Sequence, residues 1–435
     1  MLTKDVKNKV LSKIKPTYKE RENLNKKVKQ LLEELRVSTT NLGINADFFV
    51  GGSFGKDTFL KNDFDVDIFC RFELTYKNYD LSELLKKILD YCKFKYTRLK
   101  GSRDYFSMKY SFLNIELIPV LKIKDLKDAV NTTDVSPLHV KYVLDNTNEE
   151  MRDDIRLAKI FFKNKLLYGA ESYINGFSGH VIDLLIIYYK SFENLILNVK
   201  NWKEQTILDI EKHYKNREEI LKVLDKNKIK NLIVIDPILK NRNAASALSS
   251  NNYYKFIFIV KKINVLSLED FVIPEIKIQK YLKERIKWGK ENKLDVYGFD
   301  FEIINNTSTR DIIGSKLLKL SKRLKKFYQN LGFRIFKLDY YFSPKENRAF
   351  ILFYFESFKI PKIKLVKGPN IFLKEALRDF FKKRGVENVF QIENYAYCYE
   401  KQKYTNLKEI YLGKEDLESL LGKKIDFVKK IKIID

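Results

Sequence analysis

Apolar residues along this chain follow two different periods, and the change of period divides it. Between Asp145 and about Asn264 they recur at helical spacing, with long runs at Ile155 to Leu167 and Val181 to Ile196 that predict packed helices. On either side the period shortens. Asp47 to Val50, Phe64 to Phe69 and Asn114 to Pro119 alternate as half-buried strands, between a charged helix over Thr17 to Arg36 and another near Leu81 to Cys92. After Asp295 strands return at Tyr297 to Ile304, Phe333 to Phe342 and Ala349 to Phe355, with a basic helix from Ser315 to Leu331 between the first two. At 435 residues the chain exceeds one hydrophobic core. The pattern predicts an α+β multidomain protein of about three domains: a mixed N-terminal domain (1–140), a helical central domain (141–264) and an α+β C-terminal part from residue 265. No repeat or low-complexity segment interrupts it.

One constellation in the first domain carries chemistry. Gly52 and Ser53 follow a predicted strand, and after eleven residues come Asp65, Val66 and Asp67. Residues i and i+2 of a strand share a face, so both carboxylates leave together while Val66 enters the core. Paired carboxylates suit Mg²⁺, which takes oxygen ligands and leaves positions for phosphate, and two ions about 3.5–4 Å apart can hold an attacking hydroxyl and a leaving pyrophosphate in line. A missing Cβ at Gly52 lets backbone approach a triphosphate, to which Ser53 can donate its hydroxyl. The third carboxylate such a site needs is Glu116, on the alternating strand Asn114 to Pro119. A lone Asp-x-Asp is more often a solvated strand face. The turn at its spacing and the second acidic strand favour nucleotidyl transfer.

Charge narrows the substrate. With 83 Lys and Arg against 57 Asp and Glu, the net charge is +26, an attraction for any polyanion and by default for nucleic acid. A basic membrane-surface protein is the competing class. No stretch of about 18 apolar residues and no signal pattern supports it, so a cytoplasmic chain without membrane attachment is expected. Cys70, Cys92 and Cys398 form neither a metal spacing nor an even disulfide set, as suits a reducing compartment.

Other basic residues admit two readings. Arg156, Lys159 and Lys163 make one stripe on an apolar helix, able to face phosphate or to lie solvated. His139 follows Pro137 near a domain boundary and could equally cap a helix, while His180 and His213 read as structural or solvated. Arg242, between two asparagines, offers a donor fork suited to a base edge, though alone it reads as a loop arginine. Lys316, Lys319, Lys322, Arg323, Lys325 and Lys326 crowd one helix. Lys374, Arg378, Lys382, Lys383 and Arg384 crowd another, with Phe372, Leu377, Phe380 and Phe381 on its apolar side. Such helices can dock on folded RNA through phosphates and shape.

Several stretches together carry a family resemblance: Val50 to Phe69 (VGGSFGKDTFLKNDFDVDIF), Ser136 to Lys141 (SPLHVK), Tyr168 to Glu171 (YGAE), Gly176 to Gly179 (GFSG), Ser191 with Phe192, Trp202, Asp236 with Pro237, Arg242 to Ala245 (RNAA), and Gly368 with Pro369. Over nearly its whole length the chain resembles the archaeal (class I) CCA-adding enzymes, tRNA nucleotidyltransferases of the polymerase-beta-like nucleotidyltransferase superfamily. The resemblance implies a nucleotidyltransferase head (1–140), a helical neck (141–264), an α+β body (265–365) and a tRNA-contacting tail (366–435). It implies that Asp65, Asp67 and Glu116 hold two Mg²⁺ ions, and that Gly52, Ser53, Lys56, Ser136, His139, Lys159, Tyr168 and Arg242 bind CTP or ATP, Arg242 reading the base. Lys374, Arg378 and Lys382 would belong to the grip on the tRNA acceptor arm and elbow, and the family allows a homodimer. Two departures stand out. The family's acidic set reads Glu, Asp, Asp where this chain has Asp, Asp, Glu, and Lys56 replaces an arginine. The alternatives are a poly(A) polymerase-like or other terminal transferase, which would keep the acidic set, and a non-catalytic RNA-binding relative, which would not need it.

Overall fold

A computed structural model describes residues 2–273, 277–304 and 310–435, and the chain forms two compact units, residues 1–274 and 275–435.

The first unit opens with α1 (Lys4–Ile14) and α2 (Tyr18–Asn41), the latter started by a reciprocal cap in which the Thr17 hydroxyl takes the Glu20 amide and the Glu20 carboxylate takes the Thr17 amide. There follow β1 (Ala46–Val50), the one-turn α3 (Gly52–Gly55), β2 (Val66–Phe72), α4 (Leu81–Tyr91), β3 (Tyr96–Leu99), β4 (Tyr105–Tyr110) and β5 (Leu113–Leu121). The strands form one sheet in the order β1-β2-β5-β4-β3, antiparallel except for β2 and β5. Leu24, Val28, Leu31 and Leu35 of α2, at helical spacing, pack with Leu85, Ile88 and Leu89 of α4 on a core that includes Val66, Ile68, Ile115 and Leu117. The strands and helices expected around the acidic motif are all present. Asp65 itself lies just ahead of β2 and not within it.

The rest of this unit is mainly helical: α5 (Ser136–Asp145), α6 (Glu149–Asn164), α7 (Gly179–Tyr189), α8 (Phe192–Val199), α9 (Arg217–Val223) and α10 (Ser250–Lys262). Ile155, Phe161, Phe162, Leu185, Phe192 and Phe256 build a second core, distinct from that of the sheet. The apolar run Val181 to Ile196 is broken in two, because Lys190 adopts a left-handed φ of 67° and the Ser191 hydroxyl caps α8 by accepting the Asn194 amide at 3.1 Å. A parallel pair, β6 (Thr206–Asp209) and β7 (Leu232–Ile235), lies among the helices. Its second strand is a four-residue apolar run, which periodicity cannot separate from buried helix.

The second unit contains α11 (Ile278–Glu291), β8 (Asp295–Ile303), α12 (Arg310–Asn330), β9 (Ile335–Ser343), β10 (Arg348–Phe355), β11 (Ile363–Asn370), α13 (Lys374–Arg384), β12 (Val389–Ile392), β13 (Tyr395–Lys401), α14 (Lys414–Leu421) and β14 (Val428–Ile434). Two antiparallel sheets result, β14-β8-β10-β9 and β11-β13-β12. β10 is buried from Ala349 to Phe355, as its unbroken apolar run requires of a central strand. β14, from the last residues of the expected tail, returns to pair with β8.

Candidate active site

β2 and β5 run parallel with Asp67 directly opposite Glu116, so two carboxylates share one face at the register of a single residue pair. Asp65 precedes Asp67 by two residues and adds a third charge. Burial first, then the Asp65 charge, pushes the Asp67 carboxyl up to about 6, against an opposing pull from Lys56. Burial, then Asp67 and Asp65, pushes Glu116 up to about 7. Three like charges this close, in the absence of a cation, disfavour one another's ionised form. The turn from β1 into α3 is built against them: the Gly51 amide donates to the Asp67 carbonyl at 2.7 Å. Gly52 has φ +57°, and a Cβ there would sit 1.5 Å from Asp67 Oδ2. Glycine at this place is therefore demanded twice, by conformation and by space.

The acidic strands form one side of a cleft of about 530 Å³. Gly52, Ser53, Lys56, Asp65 and Asp67 line that side, and Lys159, Lys163, Tyr168, His180 and Asp183 line the other, from α6, α7 and the segment between them. Lys56 Nζ donates to Asp183 Oδ2 at 2.9 Å in a buried pair. Lys159 Nζ donates to both the carbonyl and the hydroxyl of Thr58 at 2.9 Å, and burial pulls its pKa down to about 8. Lys163 pairs with Asp63 and lies 4.9 Å over the Tyr168 ring. Burial pushes the Tyr168 hydroxyl well above its ordinary value, so it stays protonated and able to donate. The cleft thus offers carboxylate oxygens from Asp65 and Asp67 together with cationic and hydroxyl donors from both sides, which fits a metal-bridged triphosphate. A larger depression of about 830 Å³ on α2, lined by Arg21, Lys26, Lys29 and Glu33 among others, has no paired carboxylates facing a lysine wall.

The expected basic stripe on α6 divides. Lys159 and Lys163 reach the cleft, whereas Arg156 is wholly buried. Its guanidinium is used up by Asp57, Asp153 and the Phe59 carbonyl, which ties α6 to the segment after α3. Glu116, Ser136, His139 and Arg242 are not among the cleft-lining residues. Ser136 opens α5. His139 Nε2 lies 2.8 Å from Asp236, and Arg242 donates to the same carboxylate at 2.6 Å. Burial would raise Asp236, but His139, His180 and the Leu239 amide together outweigh it and hold the carboxyl well below the usual carboxylate range. The His180 ring stands 4.6 Å from that of His139, linking this cluster to the cleft wall. His180 and Asp183, neither expected in the site, share the first turns of α7. Their only signal was position, just after GFSG on an otherwise apolar helix.

Family models match in three segments: a Second Messenger Oligonucleotide or Dinucleotide Synthetase domain at residues 1–137, the tRNA nucleotidyltransferase second domain at 153–271, and the CCA-adding enzyme C-terminal domain at 300–433. A CCA-adding enzyme of Nanoarchaeum equitans is 35% identical over 300 residues, 64% of this chain and 76% of the relative. That of Methanocaldococcus jannaschii is 30% identical over 417 residues, 92% of this chain and 88% of its own. The chain belongs to the CCA-adding enzyme family. Among solved structures, the Cid1 poly(U) polymerase with Mg 3′-dATP bound covers 59% of this family member and 91% of its own chain, with a TM-score of 0.47 at 12% identity. The three matched segments follow one another along the chain, and the last two carry the descriptions of tRNA nucleotidyltransferase and CCA-adding enzyme domains.

Proposed function

We propose that this chain rebuilds or completes the 3′ CCA end of tRNA from CTP and ATP without a nucleic-acid template, releasing pyrophosphate at each addition. The observation that carries the reading is the cleft together with the register beside it: Asp65 and Asp67 line the cleft with Lys56, Lys159 and Lys163, and Glu116 stands directly opposite Asp67 on the neighbouring parallel strand. The donor set fits Mg²⁺, because all three groups are carboxylates, two of them half-buried and destabilised by one another until a cation neutralises them. Asp65, Asp67 and Glu116 would hold two Mg²⁺ ions, which supply the charge that lowers the pKa of the attacking 3′ hydroxyl and neutralises pyrophosphate.

The remaining roles belong to the chain's own groups. Ser53 and the α3 turn hold the triphosphate by hydroxyl and backbone donors. Lys56, at the end of the α3 turn, and Lys159 and Lys163 across the cleft balance its charge. Tyr168 donates to phosphate or sugar. Arg242, its guanidinium steered by Asp236 and partly exposed, reads the base edge, with Ser136 and His139 beside the nucleotide. On α13 the exposed Lys374, Arg378 and Lys382 lie at four-residue spacing on one flank and contact the tRNA acceptor arm and elbow. The head, neck, body and tail divide at about residues 140, 264 and 365; the separate cores of the sheet and of the helical region support the first division, and β14 carries the end of the tail back into the body sheet. Among the described residues no helix is long and apolar enough to cross a membrane.

The deciding assay incubates the protein with a tRNA ending at its discriminator base, labelled CTP or ATP and Mg²⁺, followed by sequencing of the extended ends. Three additions reading CCA are expected. A long homopolymer would favour a poly(A) polymerase-like activity, and no incorporation with intact tRNA binding a non-catalytic relative.

A further inference from the structure

The small sheet β11-β13-β12 is covered on one side only. Alternation decides which residues go where. Gly368, Ala396, Cys398 and Glu400 point toward α13, whose Phe380 fills the space a Cβ on Gly368 would take and whose Arg384 pairs with Glu400 at 3.1 Å. The opposite face is left open. On β13 it presents Tyr395, Tyr397 and Tyr399, and on β12 Phe390 and Ile392, with Phe390 opposite Tyr397 in the register. On β11 it presents Ile363, Leu365 and Lys367.

Large apolar side chains on this face meet solvent: Tyr399 is 66% exposed, Ile363 52%, Leu365 50% and Ile392 43%. Such a patch marks a binding surface. The rings are already ordered against one another, with Phe390 5.0 Å from Tyr399 at 34° and 6.4 Å from Tyr397 at 25°. Lys367 Nζ lies 3.4 Å above the Tyr395 ring, and Lys401 continues the same face of β13. No acidic residue stands on these strand positions.

Aromatic rings with interleaved lysines on an open sheet match unpaired nucleotides, whose bases stack on the rings while their phosphates meet the cations. A double helix offers no free base face to such a surface. A second copy of the chain is a poorer occupant, since pairing this face with itself opposes lysines to lysines in a protein of net charge +26. From these observations we infer that the open face of β11-β13-β12 is a stacking platform for unpaired bases of the RNA substrate, separate from the basic flank of α13. The inference deepens the proposed function, in that the RNA engaged here is the one extended in the cleft.

The test uses the full chain and three variants: Phe390→Ala with Tyr399→Ala, the ring-keeping pair Phe390→Tyr with Tyr399→Phe, and the charge variant Lys367→Gln. Binding is measured to a tRNA transcript, to a blunt RNA duplex of equal length, and to a single strand carrying 2-aminopurine, whose fluorescence reports stacking. Loss of both rings should weaken tRNA and single-strand binding about tenfold and abolish the 2-aminopurine quench, while duplex binding changes by less than about twofold. The ring-keeping pair should behave as wild type, and Lys367→Gln should lower affinity without removing the quench. Unchanged tRNA binding in the ring-less variant overturns the platform. Equal losses on duplex and tRNA do so too, as does a shift from dimer to monomer with RNA binding intact, which would assign the face to a second copy. Ring-dependent RNA binding by a wild-type protein that incorporates neither CTP nor ATP would uphold the platform and remove the CCA-adding reading instead.

Discussion

Asp67 and Glu116 are each placed where the ionised form is disfavoured, and that makes the proposed metal site a local weakness. Their folded pKa values, about 6 and about 7, lie above the ordinary 3.8 and 4.5. Between those limits the folded protein without metal binds more protons than the unfolded chain, so their contribution to stability falls as pH rises through that window. Neutralising either one should therefore raise metal-free stability at pH 8, by on the order of 1–3 kcal/mol, while abolishing nucleotide incorporation. Denaturation in EDTA with and without Asp67→Asn or Glu116→Gln checks the first half and CTP incorporation the second. Added Mg²⁺ should stabilise wild type at pH 8 far more than at pH 5, where the carboxyls are protonated. Equal metal-free stability of wild type and variants would mean that neither burial nor repulsion disfavours these charges. Arg242 allows another prediction at this scale. Phosphate contacts are blind to the base, so Arg242→Ala should relax the choice among CTP, ATP, UTP and GTP by roughly 1–3 kcal/mol, by analogy with base-edge readout. Sequenced 3′ ends report this directly, and unchanged fidelity in an active variant would leave Arg242 at most a phosphate anchor.

Among the elements, the β1-α3 turn is the most constrained. Gly52→Ala puts a methyl group into Asp67 and forces a side chain into a left-handed backbone, which costs about 1–2 kcal/mol before any clash. A lowered thermal midpoint with loss of incorporation is expected, and calorimetry alongside the CTP assay measures both. This turn was legible in the sequence, because a glycine pair between a strand and an acidic motif has few other uses. α13 was legible as a basic helix, and its boundaries are those of the lysine-rich run. β7 and β14 were not: a four-residue apolar run has no period, and β14 is lysine-rich, so only its pairing with β8 makes it a strand. The single apolar run from Val181 was misread for the opposite reason, since the left-handed Lys190 that ends α7 leaves no mark in hydrophobicity.

For the whole molecule, a net charge of +26 predicts that tRNA affinity falls steeply with salt, with a log-log slope of about −0.9 per phosphate neutralised on duplex. Neutralising Lys374, Arg378 and Lys382 together should make that slope shallower, by up to about three contacts' worth, without changing turnover at saturating tRNA. Filter binding across a salt series measures it, and an unaltered slope would move the RNA path away from α13. The sequence by itself determined which acidic and glycine residues stand at the cleft, the order of strand-rich and helical regions, and a net charge that attracts polyanions, because these depend on residue type and on spacings of a few positions. Only the tertiary structure decided which basic residues serve the cleft. Lys56 meets Asp183 across 127 residues of sequence, while Arg156 is consumed by Asp57. Both are lysine or arginine beside an apolar stretch, and what separates them is the partner folding brings near: a buried charge must be paired wherever its counter-charge arrives.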